Sequence, residues 1–266
     1  MKLAWVTDPH LNFLGIESIR SFCDDLKNHD SDAVVITGDI AEATSIELCL
    51  SLLGTLVKKP IYFVLGNHDF YHGSVGDVRC TVSRLVDKYD NLFWMNKYPW
   101  QELLPNVGIV GADGWYDCRS GSFITSPFVL SDFRLIQEYK DTYLSKEDIL
   151  IVSNEILQPS LQHTAQFLDE ALNKYDHVFF ITHVPPFTQL SRYKDGPSES
   201  DALPFFSCVS LGEVILDAKE KHPNKTITIL AGHTHFSAEL HVDNMHGYVA
   251  SAEYGFPAVY KTITVE

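Results

Sequence analysis

Five short apolar segments of this chain each end directly at polar residues, and this alternation limits the folds that it can adopt. The residues that follow the segments are Asp8 and His10 after 2–7, Gly38 and Asp39 after 33–37, Asn67 and His68 after 60–65 and Gly66, His183 after 177–182, and Gly232, His233 and His235 after 226–230. Apolar runs of this length between helical patterns are typical of buried strands in an α/β sheet. Such sheets bind ligands beyond the carboxyl ends of their strands, so we expect the five loops to share one crevice.

The rest of the chain completes an α/β pattern with a strand-rich end. Helical stripes are predicted within 16–26, 75–86 and 161–172, with Ser74 as the N-cap of the second. A further strand is predicted at 107–112, and three more at 236–242, 247–251 and 258–265. Segments 113–133 and 188–206 are long and irregular, and loops of that length are often functional. No linker or repeat is evident, so we expect one domain over residues 1–266, with sheets covered by helices.

Composition argues against several classes of protein. Of the 266 residues, 45% are hydrophobic and 12% are aromatic, which is enough for a large core. Acidic residues number 35 against 20 basic ones, and the net charge of −15 argues against a non-specific grip on nucleic acid. The five cysteines form no CxxC pair, so neither a disulfide framework nor a thiolate zinc site is indicated. The first residues resemble a strand rather than a signal peptide, and no segment has the length of a membrane span, so we expect a cytoplasmic protein.

The donor atoms of the five loops are of the kind that bind transition-metal ions. They comprise two carboxylates, an amide oxygen and at least four imidazoles, without a cysteine, which suits Mn, Fe, Zn, Co or Ni. The i, i+2 spacing of Asp8 with His10, and of His233 with His235, allows both side chains to face one side of an extended chain. The donors exceed what one ion needs and fit two ions that share a carboxylate. Two divalent ions would leave net positive charge, which attracts a phosphate group and activates water near neutral pH.

Taken singly, each of these motifs is more commonly structural. An aspartate after glycine is ordinarily a turn residue or a helix cap, and Gly-Asn is ordinarily a turn. A lone histidine is more often a satisfied surface residue than a ligand, and we give that interpretation to His29, His72, His163, His177, His222, His241 and His246. Five such loops, each at the end of a predicted strand, make independent coincidence a poor explanation.

The order of the motifs resembles the calcineurin-like metallophosphoesterase superfamily. The pattern of that superfamily is D-x-H, G-D, G-N-H-D/E, H and G-H-x-H, and it is matched here by Asp8-x-His10, Gly38-Asp39, Gly66-Asn67-His68-Asp69, His183 and Gly232-His233-Thr234-His235. The match spans residues 8–235. The resemblance implies a four-layer αββα sandwich with two mixed sheets, and a metal site at the carboxyl ends of the strands.

The resemblance also implies a role for each residue of the motifs. One divalent ion would bind Asp8, His10, Asp39 and His235, and a second would bind Asp39, Asn67, His183 and His233, with Asp39 as the bridge. A hydroxide that bridges the two ions would attack the phosphorus atom of a phosphate ester. His68 would assist the leaving group as a proton donor or charge stabiliser, and Asp69 would hold the His68 imidazole.

The subfamily and the substrate stay open at this point. The segment IAEATS after Asp39 lacks the Asp-Arg-Gly of protein Ser/Thr phosphatases, and His68 stands where lipid A pathway pyrophosphatases typically carry arginine. In length and motif set the chain resembles class III cyclic-nucleotide and glycerophosphodiester phosphodiesterases, which implies a small phosphodiester or phosphomonoester as substrate. The alternatives are a non-catalytic interaction protein on the same scaffold, and a DNA or RNA nuclease, which the net charge opposes.

Aromatic and basic residues of the two irregular segments leave two interpretations. They could stack on a base or bind a phosphate, or they could pack beneath their loops; they are Trp115, Tyr116, Arg119, Phe187, Arg192 and Tyr193. The metal, the natural substrate and the oligomeric state are not indicated by the sequence.

Overall fold

Two mixed β-sheets lie at the centre of the fold in the computed structural model, which describes residues 1–140, 142, 144–194 and 196–266. The first sheet has five strands in the order β13 (Lys261–Thr264), β1 (Lys2–Val6), β2 (Ala33–Thr37), β3 (Ile61–Val64) and β4 (Leu92–Trp94). Strands β1 to β4 run parallel, and β13 pairs antiparallel with β1. The carboxyl ends of β1, β2 and β3 therefore lie at one edge of this sheet.

The second sheet has six strands in the order β11 (Ala238–Val242), β12 (Met245–Val249), β10 (Thr226–Ala231), β7 (His177–Ile181), β6 (Val107–Gly111) and β5 (Gln101–Leu104). The four inner strands are parallel, and the two outer strands pair antiparallel with their neighbours. A separate short hairpin joins β8 (Arg192–Tyr193) and β9 (Gly196–Pro197).

Alternate strand residues bury the interface between the two sheets. Successive side chains of a strand point to opposite faces, so one set from each sheet can face the other sheet. That shared inner cluster includes Leu3, Trp5, Val35 and Val64 from the first sheet and Ile109, Phe179 and Leu230 from the second. The intervening residues, among them Val34 and Phe180, pack outward in the cluster that contains the buried helix residues.

Helices cover the outer faces of both sheets. The long ones are α1 (Ile16–Asn28), α2 (Ile46–Leu56), α3 (Val75–Lys88), α6 (Lys146–Lys174) and α8 (Val209–Lys221), and the short ones are α4 (Asp132–Leu135), α5 (Gln137–Lys140) and α7 (Leu203–Phe206). The predicted α/β architecture, an αββα sandwich with two mixed sheets, is confirmed. Over the described ranges, none of the helices combines the length and apolar character that crossing a membrane requires.

The predicted elements around the five loops are confirmed, and the differences lie elsewhere. Ser74 caps α3 as expected, because its side chain accepts a hydrogen bond from the Asp77 backbone N–H over 3.1 Å. The last strand is shorter than predicted, and α2 and α8 were not predicted at all. Helix α6 has 29 residues although Pro159 lies inside it. Proline lacks a backbone N–H and usually ends a helix, yet this helix continues on both sides of Pro159, whereas the predicted stripe covers only the part beyond it.

Candidate metal centre

The five predicted loops meet where the carboxyl ends of β1, β2 and β3 face those of β7 and β10. Within the first sheet, the His10 backbone N–H donates to the Asp39 carbonyl over 3.0 Å. Between the sheets, the His233 backbone N–H donates to Oδ1 of Asp8 over 3.1 Å. Hydrogen bonds between backbone and side chains of different loops thus hold the predicted ligands in one crevice.

Glycines allow a close approach between these loops, as Gly38 and Gly66 show. Gly38 has a φ of 92°, and a Cβ there would overlap the His183 imidazole. A Cβ on Gly66 would overlap the Asp39 carboxylate. Only glycine adopts the backbone conformation of Gly38 freely, and only glycine leaves this space at both positions, so these loops require glycine for a steric reason.

Five of the predicted ligands have an unusual backbone conformation. Their φ angles are positive, at 45° for Asp8, 41° for His10, 52° for Asp39, 71° for His233 and 60° for His235. Positive φ is uncommon for residues other than glycine, and it persists where the surrounding structure imposes it, often at functional sites. The clustering of these conformations at one crevice supports a functional role for the loops.

The first group of donors consists of Asp8, His10, Asp39 and His235. One ligand atom of each lies within 4.8 Å of the others. The Nε2 atoms of His10 and His235 are 3.2 Å apart, and Nε2 of His235 lies 3.4 Å from Oδ1 of Asp8. Two carboxylates and two imidazoles at this spacing have the composition of a transition-metal site.

The second group of donors includes Asn67, His183 and His233. One acceptor atom of each faces the other two, and no proton lies between them. Nδ1 of His183 lies 2.9 Å from the Thr37 carbonyl, so it carries the proton and leaves Nε2 as an acceptor. Nε2 of His233 lies 2.9 Å from the Phe205 carbonyl, which leaves Nδ1 as an acceptor. These two acceptor nitrogens are 3.2 Å apart, and each is 3.1 Å from Oδ1 of Asn67. Backbone carbonyls that fix the tautomer of a histidine are a regular feature of metal sites, and a cation would relieve the repulsion.

Tyr71 and Asp132 fix which end of the Asn67 amide faces the histidines. The Asn67 Nδ2 group lies 3.1 Å from the Tyr71 hydroxyl and 3.2 Å from Oδ2 of Asp132. A carboxylate accepts hydrogen bonds and would repel the amide oxygen, so Nδ2 must face Asp132 and Oδ1 must face the centre. The Tyr71 hydroxyl donates to the same Asp132 oxygen over 2.8 Å. Sequence reasoning missed both residues, because an aspartate near the start of a short helix and an aromatic residue after a turn carry no specific signal.

Burial sets the charge state of the imidazoles. Burial lowers the pKa of His10 and of His233 to about 3, and it also lowers the pKa of His183. Burial and then the neighbouring charge of Asp8 raise the pKa of Asp39 well above its usual range. Neutral imidazoles are the form that binds metals, and a divalent cation would offset the crowding of carboxylates. The residues present therefore fit a metal ion.

His68 lies at the wall of the same crevice. Its ring stacks on Tyr71 with 4.2 Å between centroids and meets the His10 ring edge-on at 4.6 Å. Its Nε2 lies 4.0 Å from Oδ2 of Asp39, and the side chain is 17% exposed, so a bound molecule could reach it.

The Asp69 carboxylate makes contacts other than the predicted one to the His68 imidazole. Its carboxylate is fully buried, and its two oxygens accept backbone N–H groups from Ala41 and Gly66, each over 2.8 Å. Within the residues described, Nδ1 of His68 is buried without a hydrogen-bond partner. Asp69 thus joins the loop after β2 to the loop after β3, while stacking on Tyr71 orients the His68 ring. A sequence does not show which backbone N–H groups a carboxylate will contact, whereas an adjacent His-Asp pair suggests a direct contact between the two side chains.

The open interpretations of the irregular segments are resolved differently for each residue. Trp115 and Tyr116 are buried and hydrogen-bonded to Tyr139, so they pack in the core and do not stack on a ligand. Arg119 pairs with Glu213, with Nη2 donating to Oε1 over 2.8 Å.

The remaining candidates lie at three different places. Phe187 packs at the edge of the core. Arg192 and Tyr193 line a small pocket beside the crevice. His72 lies apart from both donor groups, with Nε2 3.9 Å from Oε2 of Glu42, in keeping with its structural interpretation.

The crevice opens into a cleft of about 500 Å³, whose wall includes Asp39, His68 and His233. Tyr254 lies over one side of it, with its ring centroid 4.4 Å from that of His10 and 4.8 Å from that of His235. The cleft is large enough for a small organic phosphate.

Comparisons with known proteins place these observations in context. A family model described as calcineurin-like phosphoesterase matches residues 1–237. A curated UDP-2,3-diacylglucosamine hydrolase from Shewanella pealeana is 31% identical over 100 residues, which is 34% of this chain and 42% of that protein. The chain therefore matches less than half of the length of this relative.

Solved structures share the fold at low sequence identity. A phosphopantetheinyl hydrolase from Mycobacterium tuberculosis superposes with a TM-score of 0.63 at 16% identity, over 95% of this chain and 89% of that chain. A protein from Thermus thermophilus superposes with a TM-score of 0.51 at 10% identity, over 94% of this chain and 88% of that chain. At these identities the superpositions establish the fold alone.

Proposed function

Because this chain belongs to the calcineurin-like phosphoesterase family, which indicates a metal-dependent hydrolase, we propose that it hydrolyses a phosphate ester of a small organic molecule with two bound divalent ions. The observation that carries the proposal is the convergence of Asn67 Oδ1, His183 Nε2 and His233 Nδ1 as three unprotonated acceptors. This arrangement is unfavourable for a protein unless a cation lies among them. Residues 1–266 would act as one catalytic domain.

Asp39 is the residue that we propose to bridge the two ions. Its Oδ1 lies 3.4 Å from Nε2 of His183, and its Oδ2 lies 3.8 Å from Nε2 of His10, so each oxygen faces a different donor group. The His68 backbone N–H donates to Oδ1 over 2.9 Å and orients the carboxylate. When bound, the ions would supply a nucleophile from water near neutral pH and positive charge for the phosphoryl oxygens.

His68 is the residue that we propose to assist the leaving group. Its imidazole lies at the cleft wall beside both donor groups, where it can donate a proton or a hydrogen bond to the departing oxygen. Asp69 supports this arrangement indirectly, through the backbone amides of Ala41 and Gly66. His68 is thus a candidate catalytic residue, and Asp69 is a positioning residue.

Metal-reconstituted protein tests the proposal. We expect hydrolysis of aryl phosphodiesters or monoesters after loading with Mn, Fe, Co, Ni or Zn, and about two metal ions per chain by elemental analysis. A UDP-linked sugar belongs in the substrate panel, because the partial relative from Shewanella is named for such a compound. Asp39→Ala should abolish turnover and metal binding, whereas Asp30→Ala, which removes an exposed carboxylate paired with Lys2, should change neither.

Three results would separate the alternatives. A protein that carries two metal ions but turns over none of these esters would contradict the proposed activity, and a protein that binds no metal would favour a non-catalytic scaffold. DNA binding that persists in moderate salt would favour a nuclease, against the expectation from the net charge of −15.

A further inference from the structure

A second cavity of about 250 Å³ adjoins the metal-centre cleft, and we refer to it as the side pocket. Both cavities share three residues of their walls, Tyr193, Phe206 and Thr234, so they are neighbours without an intervening layer of protein. Phe128 and Ala202 line the side pocket but not the cleft. A molecule bound at the metal centre could therefore extend into the side pocket.

The chemistry of the side pocket favours an uncharged apolar group. Phe128, Tyr193 and Phe206 supply aromatic surface. The two charged residues of the wall, Arg192 and Glu199, have opposite signs, so the pocket offers no net attraction to a second phosphate or to a cation. Pockets of this composition bind the hydrophobic part of a ligand, while a few polar groups orient the rest.

The side pocket joins the cleft beside His233, on the side of the second donor group. Helix α7 builds this junction: the Phe205 carbonyl accepts from Nε2 of His233, and the Phe206 ring lies 5.0 Å from the His233 ring between centroids. The rings around His68 are different ones, those of His10, Tyr71 and Tyr254, and none of them lines the side pocket. The leaving group, which His68 would assist, and the group in the side pocket are therefore different substituents of the phosphorus atom.

We infer that the substrate is a phosphodiester and that the side pocket binds its second ester group, an apolar one that stays on phosphorus. The inference rests on the proposed function, because it uses the role of His68. Water adds to phosphorus, the P–O bond to the leaving alcohol breaks, the alcohol takes a proton, and the product is a phosphate monoester that carries the apolar group.

Two synthetic diesters with the same leaving group test this inference. Methyl 4-nitrophenyl phosphate and phenyl 4-nitrophenyl phosphate both release 4-nitrophenolate, so only the retained group differs. We expect kcat/KM to be about tenfold or more higher for the phenyl diester, after correction for the reactivity of each diester with hydroxide, since even one methylene in a hydrophobic pocket is worth about 10–200-fold.

Variants connect that preference to the side pocket. Phe128→Ala removes apolar surface and Ala202→Phe fills the cavity, and each should lower the phenyl-to-methyl ratio at least about fivefold. Tyr260→Ala is the matched control, because Tyr260 is 40% exposed against 38% for Phe128, yet it does not line either cavity. Thermal unfolding and metal content identify any variant that fails to fold, and the two opposite substitutions give independent tests.

The outcomes distinguish the two proposals. Turnover of both diesters with a ratio near one, or a ratio that both variants leave unchanged, would overturn the side-pocket inference and leave the proposed function intact. Absence of turnover for both diesters with every metal would overturn the side-pocket inference, and it would overturn the proposed function as well only if the aryl monoesters and the UDP-linked sugar were not hydrolysed either.

Discussion

The Tyr71 hydroxyl lies between Asp132 and the Asn67 amide, and we expect its removal to weaken one metal site selectively. In Tyr71→Phe, the buried Asp132 carboxylate loses an O–H donor at 2.8 Å, and the Asn67 N–H group loses an acceptor at 3.1 Å. A hydrogen bond to a charged group contributes about 1.5–3 kcal/mol. Loss of a hydrogen-bond partner that orients a metal ligand typically lowers the metal affinity of the site by ~10–100-fold. The amide would keep only its 3.2 Å contact with Asp132, so its oxygen would be held less firmly toward His183 and His233.

Calorimetric titration of metal-free Tyr71→Phe with Mn²⁺ measures this effect. We expect the Kd of one site to rise ~10–100-fold. The Kd of the site that uses Asp8, His10 and His235 should change little, because these residues do not contact Tyr71 through any hydrogen bond in the described structure.

Tyr139→Phe is the matched control for this experiment. Its hydroxyl is also buried, and it interacts with the hydroxyls of Tyr116 and Ser153 at 3.1 and 2.7 Å, but it does not contact Asn67. Both variants should lose about 1–3 kcal/mol of unfolding free energy in urea, while only Tyr71→Phe should change metal affinity. Equal metal affinities for the native protein and Tyr71→Phe, or an equal loss in both variants, would refute the positioning role of Tyr71.

Three further outcomes are expected. His68→Ala should lower kcat by ~10²-fold or more while the metal content stays at two ions. An equal loss of activity and of metal content would instead indicate that His68 is a metal ligand. Gly66→Ala should abolish metal binding by steric overlap, whereas Gly76→Ala, in open space within helix α3, should keep it and gain about 0.4–1 kcal/mol of stability. Because the pKa of His10 and of His233 is lowered to about 3, protons compete with metal at these ligands only in strong acid; metal content should persist at pH 5, and half-release near pH 6.5 would contradict the lowered pKa.

The sequence predicted the convergence of the five loops well because each property that builds them is local. An apolar strand, a glycine and a polar donor follow one another within a few residues, as in the segment from Phe63 to His68. The parallel order of the strands then brings the loops to one edge. The sandwich and the seven donor positions followed from this regularity together with the order of the motifs.

The partners of the donors could not be predicted, because they come from distant and irregular parts of the chain. Asp132 contacts Asn67 across 65 positions of sequence, and the carbonyls that orient His183 and His233 belong to Thr37 and Phe205. Any residue can supply a backbone carbonyl, so the residue type does not indicate which carbonyl will accept from a histidine. The misassigned contact of Asp69 has the same origin, since its true partners are backbone amides.

The positive φ angles at the ligands also bear on how the protein could be altered. A residue other than glycine costs up to roughly 1–2 kcal/mol in this conformation, and aspartate and histidine adopt it more readily than most residues, so the five proposed ligands together oppose folding by a few kcal/mol, against a typical net stability of about 5–15 kcal/mol. Selection for thermostability alone would thus favour glycine or asparagine at those of the five positions whose side chains do not hold another loop in place. A stabilised descendant could keep the sandwich and lose the centre, so heat resistance in a variant library would be a poor guide to activity.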